Sequence, residues 1–407
     1  MGLAALICAY HDAAAPEESL RATLPLAGRT LVERQARLAA SAGAHPVVIL
    51  VERMPGALTA AIDRMRSEGI SAVVARTVDE AAEAVHPDDR LLVMADGVVA
   101  DPVHVSRLLA AEGTTVLTVP DQGVDDRYER IDAQSRWAGL AVLDGELLRL
   151  TASRLQDWDL QSTLLRRAIQ GGARQFALRT DMGDIHLTVA EKPSDLIEVE
   201  TRIVEGAAGA RDDWPSRYLL APFERSITGW LMPTSATPDW LYILAAAMTG
   251  LAAFLFAGDW LWIGGAFLLA ATPIDGVAER LAALRMQPTG GRSWARSALP
   301  WLAGAALGAL GYALSKTAGW GALTLPAATI AFLHALRREQ GDREVEGKTF
   351  LAERKGMTWA MVPFAVGGSW VAGLGALAAY AAGSFFWVQH KVHAKEPVPL
   401  RQDQPPL

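Results

Sequence analysis

The sequence predicts a molecule in two parts, an α/β domain on a mostly parallel sheet followed by an all-α polytopic membrane domain with six spans. Three observations predict this fold class. Short β-rich and helical runs alternate up to about residue 200, most acidic residues precede residue 230, and long uncharged segments occupy residues 239–392. Such alternation is typical of a sheet covered by helices. Uncharged runs of about 20 residues are long enough to cross a bilayer.

The composition limits the classes of function. With 407 residues, 51% of them hydrophobic, and a formal net charge of -7, the chain lacks the concentrated basic face that nucleic-acid binding requires. The single cysteine, Cys8, cannot form an internal disulfide and lies in an apolar run, so we expect it in a core within a reducing compartment. The apolar start of the chain lacks the cationic flank of a signal peptide, and we interpret it as a first strand.

Strands and helices alternate through the first part. The predicted strands are Leu3–Ala9, Pro46–Glu52, Ile70–Arg76, Leu91–Ala95 and Thr115–Val119, and the predicted helices between them are Leu31–Ala42, Leu58–Glu68, Asp79–Val85 and Val103–Ala111. Ligands of such sheets bind at the carboxyl ends of the strands. We therefore expect a site among residues 10–29 and at Asp96. His11, His45, His86 and His104 show no metal-site spacing, and we expect each on the surface or in a turn.

Three segments of this part carry a resemblance. They are the run from Leu24 to Ala44, which contains Pro-Leu-x-Gly-x-x-Leu-x-x-x-Gln, the strand Trp137–Leu143, and Pro193–Leu196. Together they resemble sugar-phosphate nucleotidyltransferases, which implies a GT-A or Rossmann-like fold for residues 1–200. The resemblance implies metal binding at Asp96 and Glu191 and substrate contacts at Arg21 and Arg29.

The phosphate loop departs from that resemblance. A triphosphate is normally held by glycine backbone N–H groups and basic side chains. Residues 10–23 contain no glycine, and Asp12, Glu17 and Glu18 are opposed by Arg21 alone. We expect such a loop to repel a triphosphate. Asp96, followed by Gly97, has an alternative interpretation as a turn residue.

Residues 201–238 are predicted to be a linker that ends in an interfacial amphipathic helix. Leu219, Phe223, Ile227 and Trp230 recur at helical spacing between Trp214 and Met232. A helix with such an apolar, aromatic stripe lies in the headgroup region of a membrane. The alternative is that the stripe packs on the first domain.

The distribution of basic residues predicts how the second domain is oriented in the membrane. The predicted spans are Trp240–Ala257, Trp260–Leu284, Ala298–Leu314, Gly319–Leu336 and two within Met357–Val388, the fifth ending near Gly368. The loops after the second and fourth spans are rich in arginine, so the positive-inside rule places them, the first domain and the C-terminal end on the cytoplasmic side of the inner membrane. Residues 239–392 form this domain, and residues 393–407 are predicted to be a disordered tail.

The segment from Thr272 to Arg280 carries the chemistry of the second domain. Asp275, Gly276, Arg280 and Gly290 match the pattern D-x-x-D-G-x-x-A-R-x(8-9)-G-x-x-x-D-x-x-x-D, whereas Thr272, Glu279, Trp294 and Ala298 replace its other fixed residues. The segment resembles CDP-alcohol phosphotransferases, whose aspartates hold two divalent metals over a CDP-linked donor. The resemblance implies substrate contacts at Gly276, Arg280 and Gly290.

The remaining carboxylates limit what this segment can do. Asp275 and Glu279 are one helical turn apart, so both can face one cavity, act as catalytic groups and hold a single Mg²⁺ or Mn²⁺. The alternative for Glu279 is a salt bridge to a loop arginine.

The order of the two domains resembles bifunctional enzymes of the inositol-phosphate cytidylyltransferase and phosphotransferase type. The first hypothesis is a membrane-bound transferase of phospholipid or polar-headgroup metabolism. The alternative is a catalytically degenerate relative that acts as a nucleotide- or lipid-binding scaffold or regulator, a pseudoenzyme. The expected partners are a CDP-linked alcohol or lipid headgroup, membrane lipids and a second copy of the chain in a homodimer, with no nucleic acid.

Overall fold

The computed structural model describes residues 2–14, 19–121, 127–155, 159–178, 187–209, 213–232, 234, 237–285, 294–341, 343, 345 and 347–393. Glu17, Glu18, Gly290 and residues 394–407 of the predicted tail lie outside the described residues. The chain forms two compact units, one comprising Met1–Gly206 and Leu284–Pro288 and the other Ala207–Ala283 and Thr289–Leu407.

The first unit consists of β-strands and helices that alternate along the chain. Its strands are β1 (Leu3–Cys8), β2 (Pro25–Leu26), β3 (Arg29–Thr30), β4 (Val47–Leu50), β5 (Ala72–Ala75), β6 (Arg90–Met94), β7 (Val98–Val99), β8 (Thr115–Pro120), β9 (Ser135–Asp144), β10 (Arg174–Ala177) and β11 (Thr188–Val189). Its helices are α1 (Leu31–Ser41), α2 (Gly56–Ser67), α3 (Val78–Glu83), α4 (Pro102–Leu109), α5 (Gly145–Ala152), α6 (Leu160–Gln170) and α7 (Ile197–Gly209).

Seven of these strands form one mixed sheet in the order β10-β8-β9-β6-β1-β4-β5. The pairs of β1 with β4 and β6, of β4 with β5 and of β8 with β10 are parallel, whereas β9 is antiparallel to both of its neighbours. Residues Ala4 to Cys8 of β1 are fully buried, as expected for a central strand covered on both faces. The predicted α/β sheet is therefore confirmed, with an antiparallel strand inserted at β9.

Local capping explains where two of the helices begin. Thr30 and Glu33 form a capping box at the start of α1. Asp101 and His104 make the corresponding reciprocal contacts at the start of α4, where Pro102 occupies the first turn. The prediction that His104 lies on the surface or in a turn was wrong, because this capping role buries the imidazole to 1% exposure.

The second unit is helical in its described part. Its helices are α8 (Trp214–Tyr218), α9 (Ala221–Leu231), α10 (Pro238–Ala257), α11 (Leu261–Leu284), α12 (Trp294–Ala318), α13 (Gly321–Gln340), α14 (Arg354–Val366) and α15 (Trp370–His393). Four of them, α10, α11, α12 and α15, are long and apolar enough to span a membrane. Six spans are not confirmed, because α14 has 13 residues and α13 ends in the charged run Arg337–Glu339.

The predicted interfacial helix is broken into α8 and α9. Proline has no N–H donor and suits the first turn of a helix, so Pro222 favours a new start at Ala221. The polar residues Glu224 and Thr228 of α9 are buried, whereas Phe223 is 64% and Trp230 74% exposed. A helix that exposes its aromatic face and buries its polar face is suited to an apolar environment.

Candidate functional site

In the first unit, Asp96 lies at the carboxyl end of the central strands. Its Oδ2 accepts hydrogen bonds from the backbone N–H groups of Tyr10 at 2.9 Å and His11 at 2.7 Å. Its Oδ1 is buried and accepts no hydrogen bond from the described residues. The contact with Asp96 raises the pKa of His11, whose Nδ1 lies 3.5 Å from Oδ2. Asp96 thus organises the backbone that follows β1.

The other residues predicted for this site are occupied by ion pairs. Arg21 donates to Glu191 at 2.8 Å, and Arg29 pairs with Glu33 and Glu68. The β7–β11 pairing brings Glu191 towards Asp96, because Ala190 N donates to Gly97 O at 2.9 Å. Gly97 has φ of +78°, and a Cβ there would press on Ala190 O, so this approach requires glycine.

Two functional candidates near Asp96 were missed from the sequence. Asp159 accepts from the Tyr10 hydroxyl at 2.7 Å and caps α6 through Ser162 N. Burial raises the pKa of the Tyr10 phenol, which therefore stays protonated as a donor. Gln161 accepts from Asp96 N at 3.2 Å. Only the folding of α6 against the sheet brings them here, although the Asp-Leu-Gln sequence carries a helix-start signal.

The second unit contains a large cavity. Its volume is about 1230 Å³, and its lining on α11 runs from Trp262 to Ala283. At 1.5 Å per residue this lining extends over roughly 30 Å, the thickness of a bilayer core. Apolar side chains line its middle and one end, whereas the other end is lined by charged residues: Asp213, Glu224, Asp275, Glu279, Arg280, Arg296, Arg337, Arg338, Glu353, Arg354 and Lys355.

The predicted carboxylates Asp275 and Glu279 both line this cavity and are paired with cations. Asp275 is 1% exposed and forms an ion pair with Arg354. Lys355 Nζ lies 2.7 Å from Glu279 Oε2 and 3.6 Å from Asp275 Oδ2. The expectation that Glu279 and Asp275 share a face is met, and the partner of Glu279 is a lysine. In the sequence, Arg354 and Lys355 belong to the basic loop after the fourth predicted span, and no motif links them to Asp275 or Glu279.

The other motif residues position α9. Arg280 Nε donates to Glu224 Oε2 at 3.0 Å, and both side chains are buried. A Cβ on Gly276 would collide with the Glu224 carboxylate, so glycine allows α9 to approach α11. Thr272, which replaces the first motif aspartate, donates to Leu269 O and accepts from Trp359 Nε1 at 3.0 Å. Each residue thus has a packing role at the charged end of the cavity.

The side chains of the membrane unit do not fit a divalent ion in this arrangement. Among the described residues, no group of three or more His, Cys, Asp or Glu side chains could hold a metal. The Lys355 ammonium already contacts Asp275 and Glu279. Two unit charges 4 Å apart repel by about 4 kcal/mol at a protein-like dielectric, and a divalent ion doubles this cost.

In the first unit, Asp96 uses one oxygen on backbone donors and Glu191 is bound to Arg21. Asp96 Oδ1 is buried and accepts no hydrogen bond from the described residues, and the contact of Glu191 with Arg21 uses Oε1 alone. A Mg²⁺ ion needs near-octahedral oxygen coordination, usually with more than one protein ligand. No third His, Cys, Asp or Glu among the described residues joins Asp96 and Glu191 in a group that could hold a metal, so the pair does not form a metal centre in this arrangement.

The chain is similar to a curated protein of comparable length. It is 26% identical over 338 residues, covering 73% of this chain and 75% of the relative, to the bifunctional IPC transferase and DIPP synthase of Rubrobacter xylanophilus. No protein-family profile matches the chain.

Two solved structures align with about half of the chain. The inositol-1-phosphate CTP transferase from T. maritima has a TM-score of 0.40 and 14% identity, covering 49% of this chain and 94% of its own. The CTP:phosphocholine cytidylyltransferase from Streptococcus pneumoniae has a TM-score of 0.36 and 13% identity, covering 50% of this chain and 100% of its own. The match to the curated relative extends across both halves. The chain therefore resembles the bifunctional proteins that join a nucleotidyltransferase half to a CDP-alcohol phosphotransferase half, with depleted catalytic motifs in both.

Proposed function

We propose that this protein is a membrane-bound transferase of polar-headgroup metabolism that binds a CDP-linked alcohol or lipid in the cavity of its second unit. The observation that carries the proposal is the division of that cavity into an apolar stretch and one charged end. Such a shape suits a molecule with acyl chains and a phosphorylated head. The relative's name, which pairs a transferase with a synthase, supports the same class.

The charged end offers groups for binding and for proton transfer. Guanidinium groups match phosphate oxygens in a bidentate manner, which suits Arg296, Arg337, Arg338 and Arg354 to a pyrophosphate. In the proposed reaction the acceptor oxygen bonds to the phosphorus that carries the donor alcohol, and the bond to CMP breaks. Asp275 or Glu279 takes the hydroxyl proton, and the cations stabilise the charge on CMP.

The proposed setting is the inner membrane, with the first unit on the cytoplasmic side and a homodimer as the assembly. The four apolar helices suggest that the second unit is embedded in a membrane. The basic residues at the ends of α13 and α14 support a cytoplasmic position for the charged end. A cytoplasmic opening would give a soluble CDP-linked donor direct access.

The alternative is a headgroup-binding scaffold or regulator without transferase chemistry. The comparisons give it no support. One observation keeps it testable: Asp275 and Glu279 are both paired with cations, which a ligand would have to displace before either could act as a base.

The test uses the full-length protein in lipid nanodiscs with CDP-diacylglycerol as the probe. We expect saturable binding, and CMP release when a panel of polyol acceptors is added. Asp275→Asn should lower CMP release by about 10²–10⁴-fold, the usual contribution of a general base. Asp259→Asn is the matched control, because Asp259 pairs with Lys316 in an exposed position away from the cavity lining. Binding without CMP release from any acceptor would favour the scaffold, and no binding would overturn the proposal.

A further inference from the structure

A buried lysine stands among the carboxylates of the membrane unit. The Lys355 ammonium lies 2.7 Å from Glu279 Oε2, 3.6 Å from Asp275 Oδ2 and 3.8 Å from Asp213 Oδ2. The Lys355 side chain is 7% exposed. Three carboxylates from two separate segments of the chain therefore converge on one positive charge.

The position of Lys355 on α14 makes this convergence informative. Arg354 and Lys355 are the first two residues of a 13-residue helix. Cations are disfavoured there, because the N-terminal end of a helix dipole is itself positive. The carboxylates of α11 and Asp213 compensate for this unfavourable placement. Arg354 and Lys355 thus lie at the N-terminal end of α14, where the helix dipole is positive and the backbone N–H groups favour anions.

The same site has lost the features that a metal would need. The motif's first aspartate is Thr272, whose hydroxyl is engaged with Leu269 O and Trp359 Nε1. The carboxylates that remain are separated by an ammonium, whose contacts of 2.7 Å or more are hydrogen bonds and ion pairs. Mg²⁺ requires oxygens at about 2.0–2.1 Å in octahedral geometry. The Lys355 ammonium therefore occupies the position between Asp275 and Glu279 that a metal ion would take.

We propose that Lys355 takes the place of a divalent cation, so that this site binds its phosphorylated ligand without Mg²⁺ or Mn²⁺. Lys355 offsets part of the negative charge of Asp213, Asp275 and Glu279, and Arg354 is the cation that exchanges Asp275 for a phosphate oxygen. The claim that the ligand binds without a metal rests on the proposed function. The claim that Lys355 keeps Mg²⁺ and Mn²⁺ out of the ligand-free site does not, because it concerns the protein alone.

The first experiment measures Mn²⁺ binding to the ligand-free, full-length protein by electron paramagnetic resonance. We expect no binding at this site in the wild type. Lys355→Ala, which leaves three carboxylates around a vacated position, should gain at least tenfold in Mn²⁺ affinity and a rise in thermal stability that EDTA reverses. Lys355→Arg should gain nothing, because it keeps the charge. Lys316→Ala, which unpairs Asp259 instead, is the matched control.

Two results would overturn the proposal. One is Mn²⁺ binding by the wild type that Asp275→Asn abolishes. The other is a Lys355→Ala variant that folds but gains no Mn²⁺ affinity. If Lys355→Ala does not fold, Mn²⁺ affinity is measured on Lys355→Met, which also removes the positive charge. The Mn²⁺ measurement on the wild type needs no variant.

The second experiment titrates CDP-diacylglycerol into the wild type and Lys355→Ala, with Mg²⁺ or with EDTA. The wild-type affinity should agree within about twofold between the two conditions, whereas Lys355→Ala should lose about tenfold or more in EDTA and recover in Mn²⁺. Wild-type binding that disappears in EDTA would overturn the metal-free site. If the wild type binds no CDP-diacylglycerol in either condition, the proposed function fails, and the Mn²⁺ measurement still decides the role of Lys355.

Discussion

Glu33 illustrates, at the scale of a single residue, how a buried carboxylate can join separate elements. It is fully buried, and it accepts hydrogen bonds from Thr30 N at 2.9 Å and from the Arg64 guanidinium at 3.0 and 2.8 Å. Burial is the largest single influence and acts to raise its pKa. The hydrogen bonds from Arg64 and Thr30 together outweigh burial and lower the pKa of Glu33 to about 2.

The lowered pKa of Glu33 predicts a loss of stability in acid. A carboxyl group of pKa about 4.3 in the unfolded chain contributes stability above that pH, and this contribution disappears as the pH falls towards 2. Glu33→Gln should remove about 2 kcal/mol at neutral pH, the value of a hydrogen bond to a charged group. It should also flatten the acid dependence. Pulse proteolysis of the full-length protein in urea, from about pH 5 to pH 2, measures both effects.

Glu52→Gln is the control for this measurement, because Glu52 is an exposed carboxylate in the same unit. It should leave the unfolding midpoint nearly unchanged. If Glu33→Gln keeps the wild-type slope in acid, the carboxylate of Glu33 does not carry the pH dependence.

The contact between α9 and α11 shows how the motif shapes whole elements. Glu224 of α9 is buried against Gly276 and paired with Arg280 one turn further along α11. The motif glycine is therefore needed for a close approach of two helices, and the motif arginine for neutralising the acid that the approach buries. A charged pair buried in this way is costly to break, because one partner is left unpaired.

Gly276→Ala should consequently destabilise the second unit. A methyl group at this position collides with the Glu224 carboxylate, and forcing such an overlap costs about 1–3 kcal/mol. We expect a lower melting temperature in detergent. Gly265→Ala is the matched control on the same helix, because its Cβ would meet Trp370 at an ordinary 3.5 Å. Equal melting temperatures for the two variants would contradict the assigned packing of α9 on Gly276.

At the scale of the whole molecule, the distribution of charge predicts topology. The connection between α10 and α11 contains Asp259, whereas α13 ends in Arg337 and Arg338 and α14 begins with Arg354 and Lys355. Basic residues are retained on the cytoplasmic side of bacterial membranes. Six crossings would leave both ends of the chain on that side.

A reporter fused after His393 tests this topology. We expect a fused green fluorescent protein to fluoresce and a fused alkaline phosphatase to remain inactive, because both report a cytoplasmic position. A fusion at Asp259 serves as the control and should give the opposite pattern. With the first unit in the cytoplasm, an active phosphatase after His393 would show an odd number of crossings, so the six helices α10 to α15 could not all span the membrane.

Much of the fold followed from local patterns, and parts of the site did not. Every strand and helix expected between Leu3 and Val119 is present, because alternating apolar runs and caps such as Thr30–Glu33 act over a few residues. The pairing of Asp275 with Arg354 joins residues 79 positions apart. No periodicity in either segment encodes such a contact.

The sequence by itself determined the class of each half and the shared face of Asp275 and Glu279, because apolar periodicity and the i, i+4 spacing are properties of short segments. Only the tertiary structure decided what those carboxylates contact. The ammonium of Lys355 reaches them when α14 packs beside α11, and Asp96 meets Tyr10 and His11 when β6 pairs with β1. These electrostatic environments depend on side chains distant in sequence, whose positions are fixed by packing.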